Sequence, residues 1–161
     1  MLRKLISACA CLTGILFAYV MSGADMESGE HKSAHGGCLN AIGTCENGHA
    51  EIKIEGVVLK LWFVGGGGDT AKAVRIKDKE INLTVTLDGH ENPNFLLLKA
   101  KPNALAEEKE GDCSSFEGRA DWLKDVKKFV AVATIEFKGR RQELRIEFPR
   151  GYDPDDRQDG K

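Results

Sequence analysis

The chain has 161 residues, with 23 Lys+Arg against 25 Asp+Glu and a formal net charge of −2. That length fits one domain and excludes two full-sized ones, and a charge this close to neutral excludes a general nucleic-acid binder, which needs a basic face for phosphates. A hydrophobic content of 42% beside 30% charged residues excludes wholesale disorder, and 18 glycines without a Gly-X-Y period exclude collagen.

Arg3 and Lys4 precede an uncharged apolar run from Leu5 to Val20, and Ser22-Gly23-Ala24 place small residues just before Asp25. This is the pattern of a cleaved secretory signal peptide over residues 1–24. The apolar run falls short of the ~20 residues that a membrane-crossing helix needs. An uncleaved anchor and a lipoprotein cleavage before Cys9 are the alternatives. No later segment is apolar enough to span a bilayer, so the expected mature chain is secreted or periplasmic. Such a compartment is oxidising, and thiols there tend to pair.

Residues 25–47 are polar and Gly-rich, with no period of 2 or 3.6, and read as a flexible leader. From residue 48 the pattern changes to alternation. Ile52 and Ile54 sit between Glu51, Lys53 and Glu55, and Leu59, Leu61 and Phe63 form the inner row of a second strand with Lys60 and Trp62 outward. Ile81, Leu83, Val85 and Leu87 form another such row, as do Phe129 to Phe137 at every second residue and Leu144, Ile146 and Phe148. Phe95 to Ala100 is a more continuous apolar run, as expected of a strand buried on both faces or of a short core strand. Ala73–Ile76 and Ser115–Arg119 are shorter strand candidates. Glu55-Gly56 and Lys138-Gly139-Arg140 suit tight hairpins, and Gly65-Gly66-Gly67-Gly68-Asp69 reads as a longer, flexible connection. Ala120–Lys128 is the one plausible short helix, with Trp122 and Val126 four apart, and Asn103–Glu110 suits another helical turn. Seven or eight strands with frequent turns predict an all-β fold over 48–152, an antiparallel sandwich or small barrel. An Ig-like β-sandwich is the expected form, and residues 153–161 make a polar tail.

The densest group of reactive side chains is His31, His35, Cys38, Cys45 and His49, spaced H-x3-H-x2-C-x6-C-x3-H. Thiolate and imidazole are soft and borderline donors, suited to copper or zinc rather than magnesium or calcium. The neighbouring glycines let backbone wrap closely around an ion. The same cysteines support a second reading. Of five cysteines, Cys38, Cys45 and Cys113 lie beyond the signal, and a disulfide between two of them is expected of an exported chain. Histidines can still hold a metal while two thiols are bridged.

Other signals are weaker. Gly65–Gly68 lacks the Lys-Ser/Thr of a phosphate loop and stands in an all-β pattern. Cys113 could act as a nucleophile only with His49 or His90 held beside it. Asn82-Leu83-Thr84 matches a glycosylation sequon inside a strand. There is no Gly-x-Ser-x-Gly, HExxH or useful carboxylate pair.

Gly36-Gly37-Cys38-Leu39-Asn40-Ala41-Ile42-Gly43, then Gly48-His49-Ala50-Glu51 and Leu61-Trp62-Phe63-Val64-Gly65-Gly66-Gly67, resembles small, uncharacterised secreted bacterial proteins. The segment Ser114 to Leu123, with Phe129–Phe137 and Arg145–Phe148, is similar to modules that accompany periplasmic adaptors of heavy-metal efflux systems. The resemblance implies a metal-associated role and brings no catalytic residue with it.

The expectation is an exported, non-enzymatic module that binds or presents a soft transition metal through His31, His35, Cys38, Cys45 and His49, with a cell-envelope or efflux protein as partner. The alternative is a metal-free interaction module of the envelope, stapled by a disulfide and docking through an edge strand or the Gly-rich loop. A thiol enzyme built on Cys113 is the third.

Overall fold

The computed structural model describes residues 31–154. The signal expected over 1–24, the first part of the leader and the tail from 155 onward lie outside the described residues. Eight strands follow in chain order: β1 (Cys38–Ile42), β2 (Thr44–Glu55), β3 (Val58–Val64), β4 (Glu80–Leu87), β5 (Asn94–Ala100), β6 (Ser115–Arg119), β7 (Phe129–Phe137) and β8 (Arg140–Phe148). They form one antiparallel sheet in the order β1-β2-β3-β6-β5-β4-β7-β8. The fold is therefore all-β and antiparallel with eight strands. Where a sandwich would divide those strands between two facing sheets, here a single sheet curls until its edges meet, nearly a barrel. Glu147 N–H on β8 donates to the Asn40 side-chain oxygen on β1 at 2.8 Å. Just beyond β8 the chain folds back, and Ala41 N–H donates to Tyr152 O at 2.7 Å.

Eight strands enclose an interior about wide enough for side chains to fill. The inward rows supply Ala50 and Ile52 from β2, Leu59, Leu61 and Phe63 from β3, Ile81, Leu83 and Val85 from β4, and Phe129 to Phe137 from β7, all buried. Phe63 packs edge-on against Phe116, with ring centroids 5.7 Å apart. The β7–β8 hairpin turns on Lys138 and Gly139, at φ 49° and 74°, the paired positive angles whose twist matches the flanking strands.

Four local expectations change. The first strand begins at Cys38, inside the segment expected to be a leader. It carries Asn40 in the same row as Cys38 and Ile42, so no apolar alternation marked it. The run Phe95–Ala100 is not buried on both faces: Leu96 and Leu98 point inward, while Phe95 and Leu97 are exposed. The helix expected over 120–128 is a 3-10 turn at Asp121–Asp125, and Ala104–Ala106 is a second. Segments this short do not repay helix nucleation, and Val126 is already extended at φ −65°, ψ 130°. Ala73–Ile76 contributes only isolated bridges, Val64 to Ala73 and Ile76 to Cys113. No helix among the described residues is long and apolar enough to cross a membrane.

Candidate metal centre

Directly opposed residues on antiparallel strands share a face. On β2, Ala50 and Ile52 oppose Phe63 and Leu61 and point inward, so His49 and Glu51, opposite Val64 and Trp62, point outward. Both are nevertheless buried, because residues 31–37 run across this outer surface. Glu51 anchors that arm. Its carboxylate accepts N–H bonds from Ala34 (3.1 Å), His35 (2.8 Å) and Gly37 (2.8 Å). The Thr70 hydroxyl donates to Lys32 O at 2.5 Å and secures the arm further along.

Against β1, the pairing of β2 jumps from Ala41–His49 to Ile42–Thr44. Residues 45–48 are thereby left bulging from the ladder. In a straight strand, positions four apart are about 13 Å apart along the chain. The bulge folds Cys45 back toward His49. Docking of the arm then brings His31 over the same spot, its ring 4.8 Å from that of His49. One donor atom from each of His31, Cys45 and His49 lies within 4.8 Å of the others.

The Gly-rich segment completes the site, and it is not the flexible connection expected. Gly67 N–H donates to Cys45 O at 3.0 Å and Gly65 N–H to Lys72 O at 2.9 Å. Gly66 packs so closely that a Cβ there would stand 2.1 Å from Glu46 O, an approach open only to glycine. The turn aims two carbonyls at the imidazoles. His31 Nδ1 lies 2.6 Å from Gly67 O, and His49 Nδ1 lies 3.1 Å from Gly65 O. A carbonyl only accepts, so both Nδ1 atoms carry the proton and donate. In the neutral rings, Nε2 then bears the free lone pair. Fixing the far ring nitrogen in this way is how proteins orient metal-binding histidines. Burial, with the neighbouring His31, pushes the His49 pKa down against the opposing pull of its Gly65 bond, and so favours the neutral, ligating form.

Two imidazoles and a thiol are a donor set for zinc or copper. Bonds of about 2.0–2.3 Å place tetrahedral donors roughly 3.3–3.8 Å apart, so the three would draw together by about 1 Å. They line an open cavity of about 410 Å³ that Cys38, Arg150, Tyr152 and Asp153 also border. Three protein ligands leave a further coordination position.

His35 and Cys38 do not join the three. The His35 ring lies flat on Trp62 with centroids 4.3 Å apart and donates through Nδ1 to Glu51 Oε2 at 2.9 Å. It sits one step along the outer row, over Glu51 rather than over His49. Cys38 opposes Ile52, so its side chain belongs to the inward row. Burial pushes its thiol pKa up, away from the thiolate that binds metals.

No disulfide forms among the described residues. The expected pairing of Cys38, Cys45 or Cys113 is not made, and Cys113 stands apart from the other two. Cys38 and Cys45 project from the inward row of β1 and from the bulge of β2. Cys113 precedes β6, on the far side of β3. The Cys113 thiol donates to Ser115 O at 3.1 Å and contacts Glu108 at 3.8 Å, and burial raises its pKa. No imidazole partners it. His90 lies exposed in the β4–β5 loop.

Glu51 and the carbonyls of Gly65 and Gly67 were not foreseen. Glu51 alternates like a solvated strand residue, and nothing in a glycine run states which carbonyl it will turn inward. Comparison of the chain with family models, curated proteins and solved structures gave no match.

Proposed function

We propose that this protein is an exported, non-enzymatic module that binds or presents a soft transition metal, zinc or copper, through His31, Cys45 and His49. Its place would be the cell envelope, in company with a heavy-metal efflux or other envelope protein. One observation carries the reading. Both histidines commit Nδ1 to glycine carbonyls, which leaves Nε2 as the ring nitrogen with a free lone pair, and both rings cluster with the thiol of a buried cysteine. Packing alone does not require two imidazoles tied in the same tautomer beside a thiol. The charged N-terminus, apolar run and small-residue cleavage pattern support export.

Titration of the purified full chain with Zn(II), and with Cu(I) under anaerobic conditions, against a chromophoric chelator tests this. One equivalent of metal is expected. His49→Ala or Cys45→Ser should weaken binding at least 100-fold, while His35→Ala and Cys38→Ser stay within threefold of the parent. Absence of binding, or equal loss in all four variants, overturns the proposal.

A further inference from the structure

The three donors leave one coordination position undecided, and the residue that fills it selects the metal. Two carboxylates stand near His49, those of Asp153 and Glu46, and each acts electrostatically on its imidazole. Only Asp153 borders the cavity that the three donors share. The Glu46 carboxylate is turned to Gly67, where it would lie 2.9 Å from a Cβ built on that glycine.

The backbone that carries Asp153 is held in place. After β8, Gly151 N–H donates to Glu147 O at 2.7 Å, and Tyr152 O accepts from Ala41 N–H at 2.7 Å. Ala41 is the residue paired with His49 across β1 and β2. The strap formed by residues 149–153 is therefore fastened to β1 beside the His49 position, and Asp153 is the next residue along. Its carboxylate lies outside the three-atom group and borders the cavity they share, so joining them requires its side chain to move toward them.

We infer that Asp153 is the fourth donor and that it makes the centre a four-coordinate zinc site of two imidazoles, one thiolate and one carboxylate. This rests on the reading of His31, Cys45 and His49 as ligands, and it goes further by naming the metal. A carboxylate is a hard donor. It adds to the binding of Zn(II), which takes four N, S or O ligands in a tetrahedron. Cu(I) is soft and favours thiolate and thioether donors, so it gains little from a carboxylate. The ion would also tie the arm before β1, the β2 bulge and the strap after β8 to one point.

The test compares Asp153→Asn and Asp153→Ala with the parent, in the full chain, by chelator competition for Zn(II) and for Cu(I). Co(II) serves as a spectroscopic stand-in for zinc. Both variants should lose at least tenfold in Zn(II) affinity and less than threefold in Cu(I) affinity. The visible d–d bands of the Co(II) form should shift, while the thiolate-to-cobalt charge-transfer band from Cys45 persists. Zn(II) affinity within threefold of the parent in both variants overturns the role of Asp153, and the three-ligand site survives if His49→Ala still abolishes binding. A parent chain that binds Cu(I) but not Zn(II) overturns the choice of metal. A parent chain that binds neither overturns both readings.

Discussion

Burial disfavours a charged imidazole, and His49 is buried under the arm with His31 beside it, so its pKa lies below the unfolded value of 6.5. The unfolded chain then binds more protons than the folded one as pH falls past that value, so stability is lost with falling pH. The contribution of His49 is complete above 6.5 and disappears as pH drops through the lowered folded value. Glu108 works in the same direction at lower pH. Burial pushes its carboxyl up, but hydrogen bonds from the Ser114 hydroxyl and from the Asn103 and Ser114 N–H groups, with the charge of Arg75, outweigh burial and hold it below the unfolded 4.5. Its window therefore opens below 4.5 and can be told from that of His49. In urea melts of the metal-free protein, the midpoint should fall between pH 7 and 5, and His49→Gln should flatten that slope while leaving the steeper loss below pH 4.5. An unchanged slope in the variant would mean that His49 is protonated as readily folded as unfolded. Cys113 sets the opposite limit. Burial raises its pKa above 9.0, so its contribution is intact below 9.0 and lost as pH rises through the folded value.

At the scale of elements, the arm over 31–37 depends on one side chain. Glu51 is buried and accepts three backbone N–H bonds as well as the His35 ring. Hydrogen bonds to a charged group are each worth about 1.5–3 kcal/mol, but the freed N–H groups regain water when the arm lifts. Glu51→Ala should therefore cost a net of about 2–4 kcal/mol. Limited proteolysis should then cleave before Cys38 while the sheet stays intact, and metal affinity should fall because His31 leaves with the arm. Retained protection of residues 31–37 would show that other contacts hold them. The strands β3, β4, β7 and β8 and the two hairpin turns were legible, because inward rows of Leu, Ile, Val and Phe repeat at every second residue. The arm, β1 and the glycine turn were not. Asn40 interrupts the inward row of β1, and the bulge at 45–48 breaks the register that alternation relies on. Glu51 sits where a strand normally meets water, and only the tertiary placement of the arm makes it a buried anchor. Of the five side chains with suitable chemistry, the sequence could not separate the three that meet from the two that do not. That choice depends on strand parity for Cys38 and on the Glu51–Trp62 seat for His35.

At the scale of the whole molecule, the question is how a sheet with two free edges avoids exposing them. An unpaired edge is a template for pairing with other chains. Here β1 and β8 do not complete a regular ladder. The seam is made by Asn40, which accepts from Glu147 N–H at 2.8 Å and donates to Ala50 O at 3.3 Å, and by the strap, through Ala41 N–H and Tyr152 O. A buried amide bridging two strands explains why a polar residue occupies the inward row of β1. Its removal leaves the Glu147 N–H without its partner, worth about 1–3 kcal/mol if water cannot reach it, while Ala50 stays within the ladders of β2. Asn40→Ala should lower unfolding free energy by about 1–3 kcal/mol. It should also speed amide exchange at Glu147 and Ala41, while Ala131 and Val85, paired in the β4–β7 ladder, slow or quicken only with global stability. The metal centre stands beside this seam, since Ala41 pairs with His49 and the strap carries Asp153. Opening the seam should therefore weaken metal binding even though Asn40 is not itself a ligand. Unchanged exchange at Glu147 and unchanged affinity in Asn40→Ala would mean that the edges are joined by other contacts. The site would then be independent of barrel closure.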